Sequence, residues 1–222
     1  MSVETSPGST GTMCSGSTFY SSTSSSTSSS RCRRNSINID AHSDHEGPLK
    51  AGKRPRPLER VVISTLGKAL GAMANRAKDR SKTADDAFDG PSVPEISMEN
   101  YLYRLAGYLN QWQGEKAGGT SLGLRALIMG LVYVDRLCAR DPGMMLSPVN
   151  IHRICMTTTL VAVKSIEDAP FLNSFWCQVG GVSLHELNAL ELHLLKRLDW
   201  DVNVSREEFD RTFAMLRSVA AV

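Results

Sequence analysis

The hydrophobic and polar positions along the chain predict seven helices and no strand. From residue 147 to residue 164 nearly every position is apolar or small, which predicts a helix buried on all sides at the centre of a domain. Ser147 followed by Pro148 predicts the start of this helix, and Lys164 marks its last turn. A lysine there either faces water and complements the helix dipole or has a functional role. The other six predicted helices, amphipathic or apolar, span residues 58–80, 97–113, 122–137, 171–179, 184–198 and 205–222.

Residues 1–57 form a Ser/Thr-rich tail with a basic end. Residues 21–30 contain only Ser and Thr, and such a segment has too little apolar surface to offset the entropy of ordering, so we expect the tail to be disordered. The run Lys-Arg-Pro-Arg at 53–56 is either a nuclear localisation signal or a solvated linker. An amphipathic helix at 58–80 and a proline-containing linker at 81–95 follow.

The rest of the chain predicts a five-helix domain at 96–204 and a C-terminal helix at 205–222. Ser97 can cap the first helix of this domain. Ser183 and Glu186 have the capping-box spacing and predict the start of its fifth helix. No segment has the alternating pattern of a strand, so the predicted fold class is all-α.

Charge and cysteine content exclude several functional classes. The formal net charge is +2, too small to suggest a nucleic-acid partner. The five cysteines are odd in number and scattered without a C-x-x-C pair, which is typical of reduced thiols rather than of disulfides or a zinc site. No apolar run reaches membrane-spanning length. We therefore expect an intracellular protein, in the nucleus, the cytoplasm or both, with no nucleic-acid, membrane or metal partner.

The motifs of common enzymes are missing from the sequence. The chain has no H-E-x-x-H zinc motif, no nucleophile elbow and no P-loop. Two of its five histidines, His42 and His45, lie in the predicted disordered tail. We therefore expect neither catalysis nor a bound cofactor.

Short sequence motifs in the predicted five-helix domain are more specific than its hydrophobic periodicity. Tyr-Val-Asp-Arg stands near the end of its second helix, Asn-Ile-His-Arg opens the third, Val-Gly-Gly-Val-Ser precedes the fifth, and Glu-Leu-Asn-Ala-Leu-Glu lies within the fifth. With these landmarks in this order, the chain from about Ile96 to Phe209 resembles a cyclin box. In particular it is similar to the divergent P/U-type branch, which includes fungal phosphate-response cyclins and plant and protozoan relatives.

The resemblance implies a regulatory subunit that binds and activates a cyclin-dependent protein kinase with a PSTAIRE-like αC helix. The output would be cell-cycle control or nutrient and phosphate signalling. Lys164 and Glu191 match the kinase-contacting lysine and glutamate of the family. From the residues alone, the favoured interpretation of Glu191 is a solvated carboxylate on a helix face. Further kinase-binding candidates on the same inferred face are Glu167, Asp168, Phe171 and Leu172.

Other matches to the family concern structure rather than binding. Asp135 and Arg136 match the Asp-Arg pair of the second helix, and His152 and Arg153 belong to the opening of the third. The chain after Leu198 is too short for a second five-helix repeat, so the resemblance implies a single cyclin box. The alternative function is a cyclin-fold scaffold, or a transcription-related protein-binding module, that activates no kinase.

The first helix of the predicted box departs from the family pattern. Many cyclins carry a Met-Arg-Ala-Ile-Leu patch there that recruits substrates, whereas the corresponding stretch of this chain, residues 98–102, reads Met-Glu-Asn-Tyr-Leu. The resemblance therefore gives no support for substrate docking at this patch.

Overall fold

The computed structural model of the protein describes residues 55–76, 86–111 and 120–220. These residues form seven helices and no strand, which confirms the predicted all-α class. No helix among them combines the length and the hydropathy needed to cross a membrane. In chain order the helices are α1 (Pro57–Arg76), α2 (Met98–Asn110), α3 (Leu122–Arg140), α4 (Ile151–Ile166), α5 (Asn173–Gly180), α6 (Leu184–Arg197) and α7 (Arg206–Ala220).

Several sequence predictions concern segments outside the described residues. They are the disordered tail with most of its basic end, the last residues of the predicted 58–80 helix, the first part of the 81–95 linker, the end of the predicted 97–113 helix and the last two residues of the predicted 205–222 helix. Elsewhere the observed helices agree with the predicted ones to within about three residues, apart from the start of the central helix.

Helix α4 is the central element of the fold, as its sequence predicted. It contacts α1, α2, α3, α5 and α6, and nearly all of its side chains before Lys164 are buried. Three consecutive threonines lie in this buried stretch. The hydroxyls of Thr157 and Thr159 donate to the backbone oxygens of Arg153 and Cys155, at 2.7 and 2.6 Å. These internal hydrogen bonds allow polar side chains to be buried without an unsatisfied donor.

The predicted cap at Ser147 is wrong. Helix α4 begins at Ile151, and residues 148–150 form a turn in front of it. The side chain of Asn150 accepts a hydrogen bond from the backbone N–H of Ser147 at 2.8 Å, which closes this turn. A Ser-Pro pair is compatible with a turn as well as with a helix start, and here the asparagine three residues later stabilises the turn.

Close helix crossings depend on glycines at two positions. A Cβ atom added to Gly67 of α1 would lie 2.5 Å from Cα of Glu99 at the start of α2. A Cβ on Gly123 of α3 would lie 2.7 Å from Cα of Ala106 in α2. No larger residue fits without a backbone shift at either position, so α2 is held close to both of its neighbours.

A buried carboxylate links α1 to the start of α3. Glu59, in the first turn of α1, is only 4 % exposed and accepts hydrogen bonds from the Arg56 side chain at 2.8 Å and from the backbone N–H of Ser121 at 3.0 Å. Ser121 is itself the N-cap of α3. Burial raises the pKa of Glu59, but the hydrogen bonds from Arg56 and Ser121 outweigh it and hold the pKa below its ordinary value.

In the segment that precedes α2, residues 86–90 contact the helical domain, whereas residues 91–95 are exposed. Phe88 is fully buried. Asp86 pairs with Arg197, at the end of α6, at 2.7 Å, and the same guanidinium contacts Asp141 after α3 at 3.0 Å. A single arginine therefore joins three segments that are far apart in the sequence.

We expect Gly67→Ala to destabilise the protein. The added methyl group would collide with the α2 backbone, and overpacking of this kind costs about 1–3 kcal/mol. Chemical unfolding followed by circular dichroism measures the change in the free energy of unfolding. Gly71→Ala is the matched control, because its Cβ would have its nearest neighbour at 3.7 Å and alanine favours a helix over glycine. Equal effects of the two changes would contradict a close crossing at Gly67.

We expect Glu59→Gln to lower the free energy of unfolding by about 1–3 kcal/mol at pH 7, because it weakens charge-assisted hydrogen bonds in a buried site. The pKa of Glu59 is lower in the folded state than in the unfolded state. Its stabilisation is therefore complete above its ordinary pKa of 4.5 and is lost as the pH falls through the folded value. Denaturant titrations should therefore show that the difference in the free energy of unfolding between the parent and Glu59→Gln shrinks as the pH falls through the folded-state pKa of Glu59.

The exposed Glu95 supplies the control for this pH dependence. Glu95→Gln should leave stability unchanged at both pH values. A Glu59→Gln penalty that is the same at low and neutral pH would show that the charge of Glu59 does not stabilise the fold.

Candidate functional site

The candidate docking surface lies where the C-terminal end of α4 meets α6. Leu187, Leu190 and Leu194 of α6 are buried at helical spacing, and their burial fixes the rotation of α6 on the core. Glu191 follows Leu190 at the margin of this buried stripe, so its side chain reaches the edge that α6 shares with α4. Lys164, in the last turn of α4, reaches the same edge from the other helix.

Lys164 and Glu191 form a direct ion pair. Nζ of Lys164 lies 2.7 Å from Oε1 and 2.9 Å from Oε2 of Glu191 and donates to both oxygens. The lysine side chain is 32 % exposed and the glutamate side chain 16 % exposed. This partial burial reduces screening by solvent relative to an ion pair on an open surface. The structure thus brings together the two residues that match the family's kinase contacts, and their role in binding stays a prediction.

Two asparagines connect this ion pair to α5. Nδ2 of Asn173 donates to Oε2 of Glu191 at 2.8 Å and to Oδ1 of Asn188 at 2.7 Å. Asn173 is the first residue of α5, and Asn188 lies one turn before Glu191 on α6. The Glu191 carboxylate therefore stands on one helix and accepts hydrogen bonds from two others.

The two predicted apolar candidates, Phe171 and Leu172, differ in exposure. The ring of Phe171 stacks on that of Phe175 with centroids 4.5 Å apart, and Phe175 meets Trp176 edge-on. Leu172 is 54 % exposed and directly precedes Asn173. Leu172 therefore offers apolar surface beside the ion pair, while Phe171 is half-buried and packs against α5.

The two predicted acidic candidates follow α4. Glu167 is the C-cap residue of α4 and pairs with Arg125 of α3 at 3.2 Å. Asp168 is exposed. Both come within four residues of Lys164, so this end of α4 carries a cation with two carboxylates close behind it in the chain.

Asp135 and Arg136 have separate surroundings although they are adjacent in the chain. Arg136 donates to the backbone oxygens of Asp201 and Asn203, each at 2.9 Å, and to the Glu208 carboxylate at 2.7 Å. It therefore ties α3 to the loop between α6 and α7 and to α7 itself. The side chain of Asp135 is exposed.

His152 and Arg153 lie at the N-terminal end of α4, about 17 Å along the helix from Lys164 at 1.5 Å per residue. Nε2 of His152 lies 2.9 Å from the backbone oxygen of Ile96 and donates to it. Burial lowers the pKa of His152, and the hydrogen bond to Ile96 opposes this effect. Arg153 pairs with Glu186. The structure thus does not bring these residues into the docking surface.

Two exposed apolar residues on or beyond α6 were not predicted from the sequence. Leu192 is 45 % exposed, and Trp200, in the turn after α6, is 60 % exposed. Asp199 and Trp200 both have positive φ, 52° and 59°, a backbone conformation that residues other than glycine rarely adopt. Leu192 could have been found, because it falls outside the buried leucine stripe. Trp200 had no such signal, because periodicity does not reveal a turn of this kind.

The stretch at the position of the family's substrate-recruiting patch is covered in this structure. Met98, Tyr101 and Leu102 of α2 are 5 %, 5 % and 1 % exposed. Helix α1 packs across this part of α2, with Ser64 hydrogen-bonded to Glu99 at 2.5 Å. Within the described part of the chain, no three His, Cys, Asp or Glu side chains are grouped so as to hold a metal ion.

Comparison with known proteins gives a consistent result. The family model described as Cyclin matches residues 17–202. Cyclin-U1-1 of Arabidopsis thaliana is 33 % identical over 168 residues, which is 74 % of this chain and 74 % of the relative. Cyclin-P4-1 of Oryza sativa subsp. japonica is 31 % identical over 177 residues, 77 % of this chain and 78 % of the relative. The Nuc-1 negative regulatory protein preg of Neurospora crassa is 34 % identical over 115 residues, 52 % of this chain but only 22 % of that protein.

The chain therefore belongs to the cyclin family. Its relatives place it in the divergent P/U-type branch, which confirms the resemblance inferred from the landmark residues. Cyclins are regulatory proteins rather than enzymes, and members of the family act as partners of cyclin-dependent kinases. The family match also extends upstream of the predicted five-helix domain, to residue 17.

Proposed function

We propose that this cyclin binds and activates a cyclin-dependent protein kinase through the surface formed by the end of α4, the start of α5 and the outer face of α6. The observation that carries the proposal is the half-buried ion pair between Lys164 and Glu191, at the residues that match the kinase contacts of the family. The exposed side chains of Leu172, Leu192 and Trp200, which come from the same elements or the turn after α6, supply apolar area.

The chemistry of this surface suits a helix and its backbone as the partner. A lysine ammonium has three donors, and a carboxylate has about four acceptor positions, so each group of the pair can still bind a backbone group of the kinase. The exposed leucines and the tryptophan can pack against the apolar face of a PSTAIRE-like αC helix. Aromatic residues of this kind are enriched among residues that dominate binding energy.

Activation follows from selective binding to one kinase conformation. In an active kinase the αC helix lies inward, so that its glutamate pairs with the lysine that positions ATP. A surface that binds only the inward state shifts the equilibrium toward it and needs no catalytic group of its own. We propose that the chain acts in this way, without catalysis, in cell-cycle control or in nutrient and phosphate signalling, in the nucleus or the cytoplasm.

The first test is the double variant Lys164→Ala, Glu191→Ala. We expect it to weaken kinase binding by about 2–5 kcal/mol, a factor of 30 or more in the dissociation constant, because it removes both charged anchors from a partly desolvated site. The kinase is identified by affinity purification of the tagged cyclin and mass spectrometry. Binding and phosphorylation of a generic peptide substrate are then titrated with purified proteins.

The control for this test is Arg206→Ala, Asp210→Ala, which removes an exposed ion pair on α7. This control should bind the kinase as the parent does, and both double variants should keep their helical circular dichroism. Parent-like binding by the Lys164, Glu191 variant would refute the assigned surface. Kinase binding by the parent without any gain in kinase activity would instead identify a scaffold.

A second test concerns Trp200. Trp200→Ala should weaken kinase binding by about 2 kcal/mol or more, roughly 30-fold, with little loss of stability because the ring is largely exposed. Isothermal titration calorimetry measures the affinity and thermal melting measures stability. Met215→Ala, at a similarly exposed apolar residue on α7, should change neither quantity. Unchanged affinity in Trp200→Ala would remove the turn after α6 from the interface.

A further inference from the structure

We propose that Asn173 and Asn188 form an amide bridge that positions the Glu191 carboxylate for the kinase. The amide bridge consists of the two hydrogen bonds that Asn173 donates, to Glu191 and to Asn188. This inference rests on the proposed function, since it assigns two positioning residues to the same docking surface. Neither asparagine needs to contact the kinase.

The geometry leaves the Glu191 carboxylate little freedom. Both of its oxygens accept from Lys164, at 2.7 and 2.9 Å, and Oε2 also accepts from Asn173 at 2.8 Å. Lys164 and Asn173 stand on α4 and α5, so the carboxylate is held from two directions. A glutamate has three rotatable side-chain bonds, and a lysine alone could follow the carboxylate through several rotamers. The Asn173 amide, which is fixed on α5, prevents Glu191 and Lys164 from changing rotamers together.

The amide bridge also sets what the carboxylate can accept from a partner. A carboxylate offers about four acceptor positions, and three are used within the cyclin. One position remains for a donor of the partner, so the geometry fits a single N–H group rather than a two-pronged guanidinium. An exposed backbone amide of the kinase meets this requirement.

Asn188 has a supporting role in this arrangement. Its Oδ1 accepts the second N–H of Asn173 at 2.7 Å, which sets the plane of the Asn173 amide. Without Asn188, the Asn173 amide could rotate while still donating one hydrogen bond to Glu191. The alternative is that the bridge only fastens α5 to α6, in which case it would affect stability and not the orientation of Glu191.

The test uses the full chain and the kinase identified by co-purification. Asn173→Ala should weaken kinase binding about three- to tenfold, because Glu191 must then be ordered on binding. Asn173→Asp should weaken it more than tenfold at pH 8, because a second carboxylate would stand about 2.8 Å from Oε2 of Glu191. Asn188→Ala should have a smaller effect than Asn173→Ala. Gln178→Ala, at an exposed residue near the C-terminal end of α5, is the control and should bind as the parent does.

The pH profile separates positioning from simple fastening. In Asn173→Asp the new carboxylate would face Glu191 and its partner Lys164, and Glu167 and Asp168 precede it by a few residues in the chain. Two neighbouring carboxylates that compete for one ammonium cannot both ionise easily, so one takes up a proton as the pH falls. We expect the affinity of Asn173→Asp to recover at least severalfold between pH 8 and pH 6, relative to the parent measured at the same pH values.

The outcomes distinguish this inference from the proposed function. If the parent binds no kinase, the proposed function fails and the inference fails with it. If the parent binds the kinase, and Asn173→Ala and Asn173→Asp bind it as tightly as the parent does at pH 8, the inference alone is wrong. It is also wrong if the asparagine variants lose affinity only in proportion to a lower melting temperature, without the pH recovery. Asn173→Ala keeps the test decisive if Asn173→Asp does not fold.

Discussion

The burial of α4 on nearly every side is the constraint on which the rest of the structure depends. A helix in that position cannot carry an unpaired charge, and its polar side chains must satisfy their hydrogen bonds locally, as Thr157 and Thr159 do. A lysine is tolerated only where the helix leaves the core. Lys164 occurs at that point, and its partner Glu191 comes from the helix that covers the neighbouring edge. The position of the candidate site is thus a consequence of how the core is built.

Much of this arrangement could be predicted from sequence, because it depends on local patterns. Ser97 and Ser183 cap their helices as predicted, since a serine followed by an apolar periodic run gives the backbone amides few alternatives. Ser147 failed as a cap because Asn150, three residues later, competes for the same stretch of backbone. Lys164 and Glu191 were selected by their match to family positions, and the structure pairs their side chains on one edge.

Other features depend on three-dimensional contacts that no pattern in one sequence encodes. The hydrogen bond from Asn173 to Glu191 joins residues eighteen positions apart on different helices. The exposure of Trp200 depends on two consecutive residues with positive φ in the turn after α6, which is closed by the hydrogen bond from the backbone N–H of Trp200 to the oxygen of Leu195. An aromatic residue after a leucine-rich helix would ordinarily be assigned to the core. In each case the missing information is the relative placement of elements rather than their identity.

The contacts of Arg197 have a consequence for how this cyclin would meet a partner. Arg197 forms ion pairs with Asp86 and Asp141, which link the C-terminal end of α6 to two segments from other parts of the chain. The face that carries Glu191 cannot tilt without breaking these links at its far end. Under the proposed function, the cyclin would therefore act as a rigid template, and the conformational change on complex formation would occur mainly in the kinase.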